Sequence, residues 1–287
     1  MTQRFRTLVA GLCLIGLFPL PAQAGRSCIA HEITVTELQS ALTVAGEARH
    51  MLNAGRSHVA LIARVGNDIA EYGLKYTHVG FARKRARDGE WIVVHQLNPC
   101  ASAHSGLFVQ GLGTFMLDDL FTHEVLIVTL DESLETNLEA ILATDAPLRL
   151  YDPAYSMISY PGLPVKYQNS NEWLLELVAL AQARRDGTLL QTREDAHRFF
   201  LAKGYSGSVI HVSPFRQALA GIAAANVRFD DHPASDRQEG RFETVSVRSV
   251  VDYLKHTGDA MRIRTIAGPY RRADKRTPYS EANVNSD

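Results

Sequence analysis

Two short stretches, far apart along the chain, hold residue types that together can carry out acyl transfer. The first is Tyr76-Thr77-His78-Val79-Gly80-Phe81, where a histidine opens an apolar strand pattern. The second is Tyr167-Gln168-Asn169-Ser170-Asn171-Glu172-Trp173, where a hydroxyl stands at the start of an amphipathic helix pattern. Acyl transfer needs one group to attack a carbonyl carbon and another to take its proton. A third candidate, His95, follows from hairpin geometry. Residues 77–84 and 91–97 read as strands around a charged turn whose Asp88-Gly89 pair suits a tight reversal. Antiparallel pairing about that turn carries His95 to within a few residues of His78 on the neighbouring strand. There it can hold the catalytic imidazole in one tautomer.

Each candidate also has an ordinary reading. His78 and His95 read equally as satisfied strand histidines, and Ser170 as an N-cap for the helix that follows. A helix N-terminus lowers a thiol pKa into a useful range but cannot usefully ionise a hydroxyl, so Ser170 would depend wholly on His78. His104, His123, His211, His232 and His256 are scattered without metal-ligand spacing. Gly111-Leu112-Gly113 lacks the third glycine of a phosphate loop, so no cofactor is expected. The basic run 83–87 reads as a solvated hairpin tip.

The elements that must position these groups are legible as periodicities. Helices are expected over 36–53 (capped by Thr36), 132–144, 171–186, 192–203, 214–225 and 249–256, with a helical turn at 115–120. Strands are expected over 59–65, 77–84, 91–97, 107–111, 124–130 and 242–247. Residues 151–166 form a loop rich in Pro and Tyr, and 230–240 a polar one. Helix, antiparallel strands, then helices predict an α+β fold, a small antiparallel sheet packed against helices.

The chain opens like a secretory leader. Arg4 and Arg6 precede an apolar run over 8–18, and Ala22-Gln23-Ala24 fits cleavage after Ala24. A periplasmic or secreted protein is expected, and no later segment is apolar enough to span a membrane. The expected organisation is a leader over 1–24, an N-terminal helical segment over 25–57, a core over 58–186, a C-terminal helical extension with a strand over 187–270, and a disordered tail over 271–287. Losing Arg4 and Arg6 takes the formal charge from −1 to −3. Such a balance gives no electrostatic support for a nucleic-acid or anionic-membrane partner. Cys28 and Cys100 either pair in an oxidising compartment or remain separate thiols.

The motifs and their order resemble the circularly permuted branch of the papain-like superfamily, the NlpC-type cysteine peptidases and amidases. That branch carries a strand histidine first, in a Ser/Thr-His-Val-Gly pattern, then a polar residue on the next strand. A late cysteine opens a helix in a Tyr-Asn-Cys-Ser/Thr-Glu-Phe pattern. Here the chain reads Thr77-His78-Val79-Gly80, then Val94-His95, then Asn169-Ser170-Asn171-Glu172-Trp173, with Ser170 where that branch has cysteine. The chain also resembles an uncharacterised family of secreted bacterial proteins with the same layout, over about residues 58–185. The resemblance implies a permuted papain-like fold, with His78, His95 and Ser170 as the catalytic set and Tyr76, Tyr167 and Asn169 lining the substrate site. It implies cleavage of an amide or ester, such as cell-wall peptide, in the envelope. The competing implication is an inactive peptide- or envelope-binding module on the same fold.

Overall fold

The computed structural model describes residues 32–100 and 102–272; the expected leader, Cys28 and most of the expected tail lie outside the described residues. In chain order the helix α1 (Val35–Asn53) leads into strand β1 (Val59–Val65), then β2 (His78–Lys84), β3 (Trp91–Leu97) and β4 (Gly106–Gly111). A short α2 (Leu112–Met116) precedes β5 (Thr122–Leu130), followed by α3 (Glu132–Leu142), α4 (Ala146–Arg149) and α5 (Ser170–Arg185). Then come α6 (Arg193–Ala202), β6 (Ser208–His211), α7 (Pro214–Ala223), α8 (Ala234–Glu239), β7 (Arg241–Thr244), α9 (Val247–His256) and β8 (Ala260–Arg271).

β1 shows why the sheet forms where it does. All seven of its residues are buried, so it must be covered on both faces. Side chains alternate across a strand. Val59, Leu61 and Ala63 accordingly join Phe81, Val128, Leu138, Trp173 and Leu177 on one face. Ala60 and Ile62 join Val44, Val93, Phe115 and Ile127 on the other. Helices α3 and α5 cover the first face, α1 and α2 the second. The sheet is six-stranded, ordered β4-β3-β2-β1-β5-β8, and every pair in it is antiparallel. β6 and β7 form a separate two-stranded sheet. The chain is thus an α+β protein. Among the described residues, no helix is long and apolar enough to cross a membrane.

Several details differ from the sequence expectation: α8 forms inside the polar loop expected over 230–240, and α4 and β6 are not among the expected elements. Thr34, not Thr36, caps α1, because Thr34 and Glu37 close a reciprocal capping box at that spacing. The helical turn expected at 115–120 forms earlier, over Leu112–Met116. The stretch before the expected tail is a twelve-residue strand, β8, paired along β5. The segment expected as a C-terminal extension therefore completes the edge of the main sheet, and α1 packs across β5 and β8. Cys100 is disulfide-bonded.

Candidate active site

The helix carrying Ser170 is capped by its neighbour. Asn169 accepts from the backbone N–H groups of Asn171 and Glu172, at 3.0 and 2.9 Å. Glu172 reaches back to the Asn169 N–H at 3.1 Å, so Asn169-x-x-Glu172 is a full capping box. Ser170 becomes the first helical residue rather than the cap, and its hydroxyl is released from that duty. Its Oγ lies 3.0 Å from His78 Nδ1. The other ring nitrogen, His78 Nε2, lies 2.8 Å from His95 Nδ1. His95 Nε2 in turn lies 3.2 Å from Gln110 Oε1 on β4. The four groups form one line running from α5 across β2 and β3 to β4.

Asn171 holds the helix to the strand. Pairing of β2 with β3 stops at Phe81 and Val94. Beyond that point the Asn171 amide takes over, accepting from the Val79 N–H at 3.2 Å and donating to the Thr77 carbonyl at 3.4 Å. Those groups flank His78, so one side chain sets the register between nucleophile and base. Gly80 makes room for the third member. A Cβ at Gly80 would stand 2.8 Å from Val93 Cγ1, 2.9 Å from His95 Cβ and 3.2 Å from the Val94 carbonyl oxygen. Gly80→Ala is therefore expected to push β3 away, costing about 1–3 kcal/mol. Urea denaturation reads that loss, and a parallel fall in Ser170 reactivity reads the displacement of His95.

The protonation pattern follows from the partners. Burial, reinforced by the Arg64 guanidinium, pushes His95 down to about 3, so the ring is neutral at ordinary pH. A neutral imidazole has one N–H and one lone pair. The Gln110 carbonyl oxygen can only accept, which places the His95 proton on Nε2 and the lone pair on Nδ1. His78 must then donate from Nε2, leaving its Nδ1 lone pair facing the Ser170 hydroxyl. That is the arrangement a general base requires. Arg64 is itself engaged, donating to the Phe115 carbonyl and to Asp118 Oδ2 at 2.6 Å while lying over the Phe115 ring.

Tyr155 completes the site from the loop before α5. Its phenol is close enough to Ser170 for that residue to favour the ionised form, but burial outweighs this and pushes the phenol up to about 12. It stays protonated and can donate. An N–H early in the helix suits a developing oxyanion. Those of Asn171 and Glu172 are already bound to Asn169, which leaves the Ser170 N–H as the candidate donor.

Below the site lies a buried charge network. α5 is buried nearly all round, and its two acidic residues, Glu172 and Glu176, are enclosed with it. His197 Nε2 sits 3.2 Å from Glu172 and 2.9 Å from Glu176, while its Nδ1 faces the Pro161 carbonyl at 2.9 Å. Arg193 donates to Glu176 at 3.0 Å, to Asp152 at 3.0 Å and to the Tyr167 carbonyl at 2.7 Å. Burial works against a charged ring at His197, but the two carboxylates outweigh it and hold the imidazolium up at about 10. Glu172, Glu176 and His197 bring ligand atoms within 4.8 Å of one another, as a metal would need. Both ring nitrogens face acceptors, however, so His197 as an imidazolium has no lone pair to offer an ion, and with Arg193 it already balances the charge of the two carboxylates. Gln168 joins this network to the site loop, donating to the Leu150 carbonyl at 2.8 Å and to Glu176 at 2.6 Å.

The structure thus brings His78, His95 and Ser170 together, as the hairpin register and helix start require. The three expected substrate-lining residues are engaged elsewhere. Asn169 is buried and spent on the cap and on Thr244 and Val245. The Tyr76 hydroxyl bonds Glu124 at 2.5 Å, and the Tyr167 hydroxyl bonds Asp230 at 3.1 Å. Gln110, Tyr155 and the partners of Glu172 and Glu176 in the His197 network escape sequence reading. The Asn169-x-x-Glu172 spacing carried a local signal, by moving the cap one residue ahead of Ser170.

No curated protein matches the chain, and no solved structure does. A family model matches residues 51–254, a span that contains all of His78, His95, Gln110, Tyr155, Ser170 and His197. The chain therefore belongs to the family described as "Uncharacterized protein conserved in bacteria (DUF2145)".

Proposed function

We propose that the chain is a Ser–His hydrolase of amides or esters, built on a permuted papain-like plan. The observation that carries this reading is the line Ser170–His78–His95–Gln110, in which every proton has one consistent place. Ser170 Oγ attacks the substrate carbonyl carbon as its proton passes to His78 Nδ1. The imidazolium so formed keeps donating from Nε2 to the neutral His95. The carbonyl oxygen, now an oxyanion, takes donors from the Tyr155 hydroxyl and the Ser170 N–H. Collapse expels the amine or alcohol, which takes the proton from His78 and leaves an acyl-Ser170 ester. Water, deprotonated by His78, then hydrolyses that ester and restores the enzyme.

His95 is a hydrogen-bond acceptor rather than a counter-charge, so it orients His78 without neutralising the imidazolium. The leader-like N-terminus supports export, and with it a substrate in the cell envelope, such as cell-wall peptide. A fluorophosphonate probe is the direct test. It should phosphonylate Ser170, and labelling should vanish in Ser170→Ala. Absence of labelling in the wild-type chain would reject turnover and leave the binding-module reading of the same fold.

A further inference from the structure

Arg64 is an enclosed charge beside the proposed catalytic line. Its side chain is 3 % exposed. Burying a guanidinium is costly unless its partners are placed to receive it. The partners here are the Phe115 carbonyl of α2 and the Asp118 carboxylate just after α2, the latter at 2.6 Å.

The sheet register sets this cation against the base. Arg64 and His78 are Cα partners in the antiparallel pairing of β1 with β2. Alternation along the strands puts Arg64, His78 and His95 on the face that α1 and α2 cover, in line with Ile62, Ala82 and Val93. The Phe115 ring is common to all three. Its centroid lies 4.5 Å from the guanidinium carbon, 5.3 Å from the His95 ring and 6.1 Å from the His78 ring. Around His95, β2 offers His78, β4 offers Gln110 and the Phe108 ring, and α1 covers the face with apolar residues. Arg64 from β1 and Asp118 from beyond α2 are the charges that bear on it.

We propose that Arg64 is a positioning residue: its enclosed charge keeps the resting His78–His95 pair neutral, so that His95 stays the acceptor and His78 alone takes the proton of Ser170. This rests on the hydrolase reading and names the group that governs its protons. An imidazolium at His95 would donate from both nitrogens. Its Nδ1 would then turn an N–H on His78 Nε2, which would have to accept, and the His78 proton would pass to Nδ1, against the Ser170 hydroxyl. The base would be lost with no heavy atom displaced. Burial already opposes a charge on His95, and the nearby cation adds to that opposition. The same cation opposes the imidazolium that forms on His78 during turnover, and its pairing with Asp118 tempers this.

The test follows the ring nitrogens of His95 by NMR in protein carrying 15N-histidine, alongside fluorophosphonate labelling of Ser170 across pH. The wild-type ring should keep one bare nitrogen until the pH approaches 3. In Arg64→Gln, which leaves Asp118 in place, His95 should take its second proton at about tenfold lower proton concentration, and the acid limb of labelling should move the same way. Arg64→Lys keeps the charge and should hold the ring titration where the wild-type chain has it. Should Arg64→Gln fail to fold, Arg64→Gln combined with Asp118→Asn replaces the ion pair by two neutral amides, and His95 should still protonate more readily than in the wild-type chain. A ring titration unmoved on loss of the cation would overturn the proposal. So would labelling that falls equally at every pH, because Arg64 would then serve packing alone. A wild-type chain that takes no fluorophosphonate at any pH rejects the hydrolase reading instead, and the ring titration is read without it.

Discussion

Replacing His78 by alanine should slow fluorophosphonate labelling of Ser170 on the order of ten-thousand-fold, while leaving the fold intact. The size follows from chemistry. An unassisted serine hydroxyl is almost wholly protonated at neutral pH, and the helix field cannot change that as it would for a thiol. All activation passes through the 3.0 Å contact between Ser170 Oγ and His78 Nδ1. His95→Ala should cost less, about a hundredfold, because His95 orients the base without exchanging a proton with substrate. Equal losses in the two variants would mean that His95 carries charge, against its pKa near 3.

His197→Leu should destabilise the protein by about 3–5 kcal/mol, because it leaves two enclosed carboxylates facing one arginine. Urea unfolding measures the loss, and its pH dependence identifies the cause. The His197 pKa is raised in the folded state to about 10, from an ordinary value of 6.5. Its contribution is therefore complete below pH 6.5 and is lost as pH rises towards 10. His95 works in the other direction. Its folded value is depressed to about 3, so stability falls as pH drops from 6.5 towards 3, where the unfolded chain binds the extra proton. Together these two rings place maximum stability near pH 6.5. The His197→Leu protein should lose the alkaline decline and keep the acid one. An alkaline decline of undiminished slope would assign it to other groups.

How much of this the sequence discloses depends on how local each signal is. β1, β2, β3 and α5 are visible because their periodicity is carried by contiguous residues, and the hairpin turn fixes the His78–His95 neighbourhood by counting. β8 is not visible in that way. It alternates through Met261, Arg262, Ile263 and Arg264, yet its exposed edge makes it read as a polar run approaching a tail, and its partner β5 lies more than a hundred residues earlier. Gln110 and Tyr155 belong to no motif, since an amide on an edge strand and a tyrosine in a loop acquire roles only when the chain folds around them. The His197 network had half a signal. Glu172 and Glu176 stand four apart in a helix otherwise crowded with apolar residues, which calls for buried partners. Those partners come from α6, and nothing local pairs them with the acids.

The measurement that bears most directly on the central claim is the pH dependence of alkylation in Ser170→Cys by iodoacetamide. If His78 faces that position as a base at a helix N-terminus, the thiol should ionise well below its ordinary 8.5, within roughly 3.5–7.5, and react at a rate already level at neutral pH. A rate that climbs through pH 8.5 like that of a free cysteine would show that no imidazole activates residue 170.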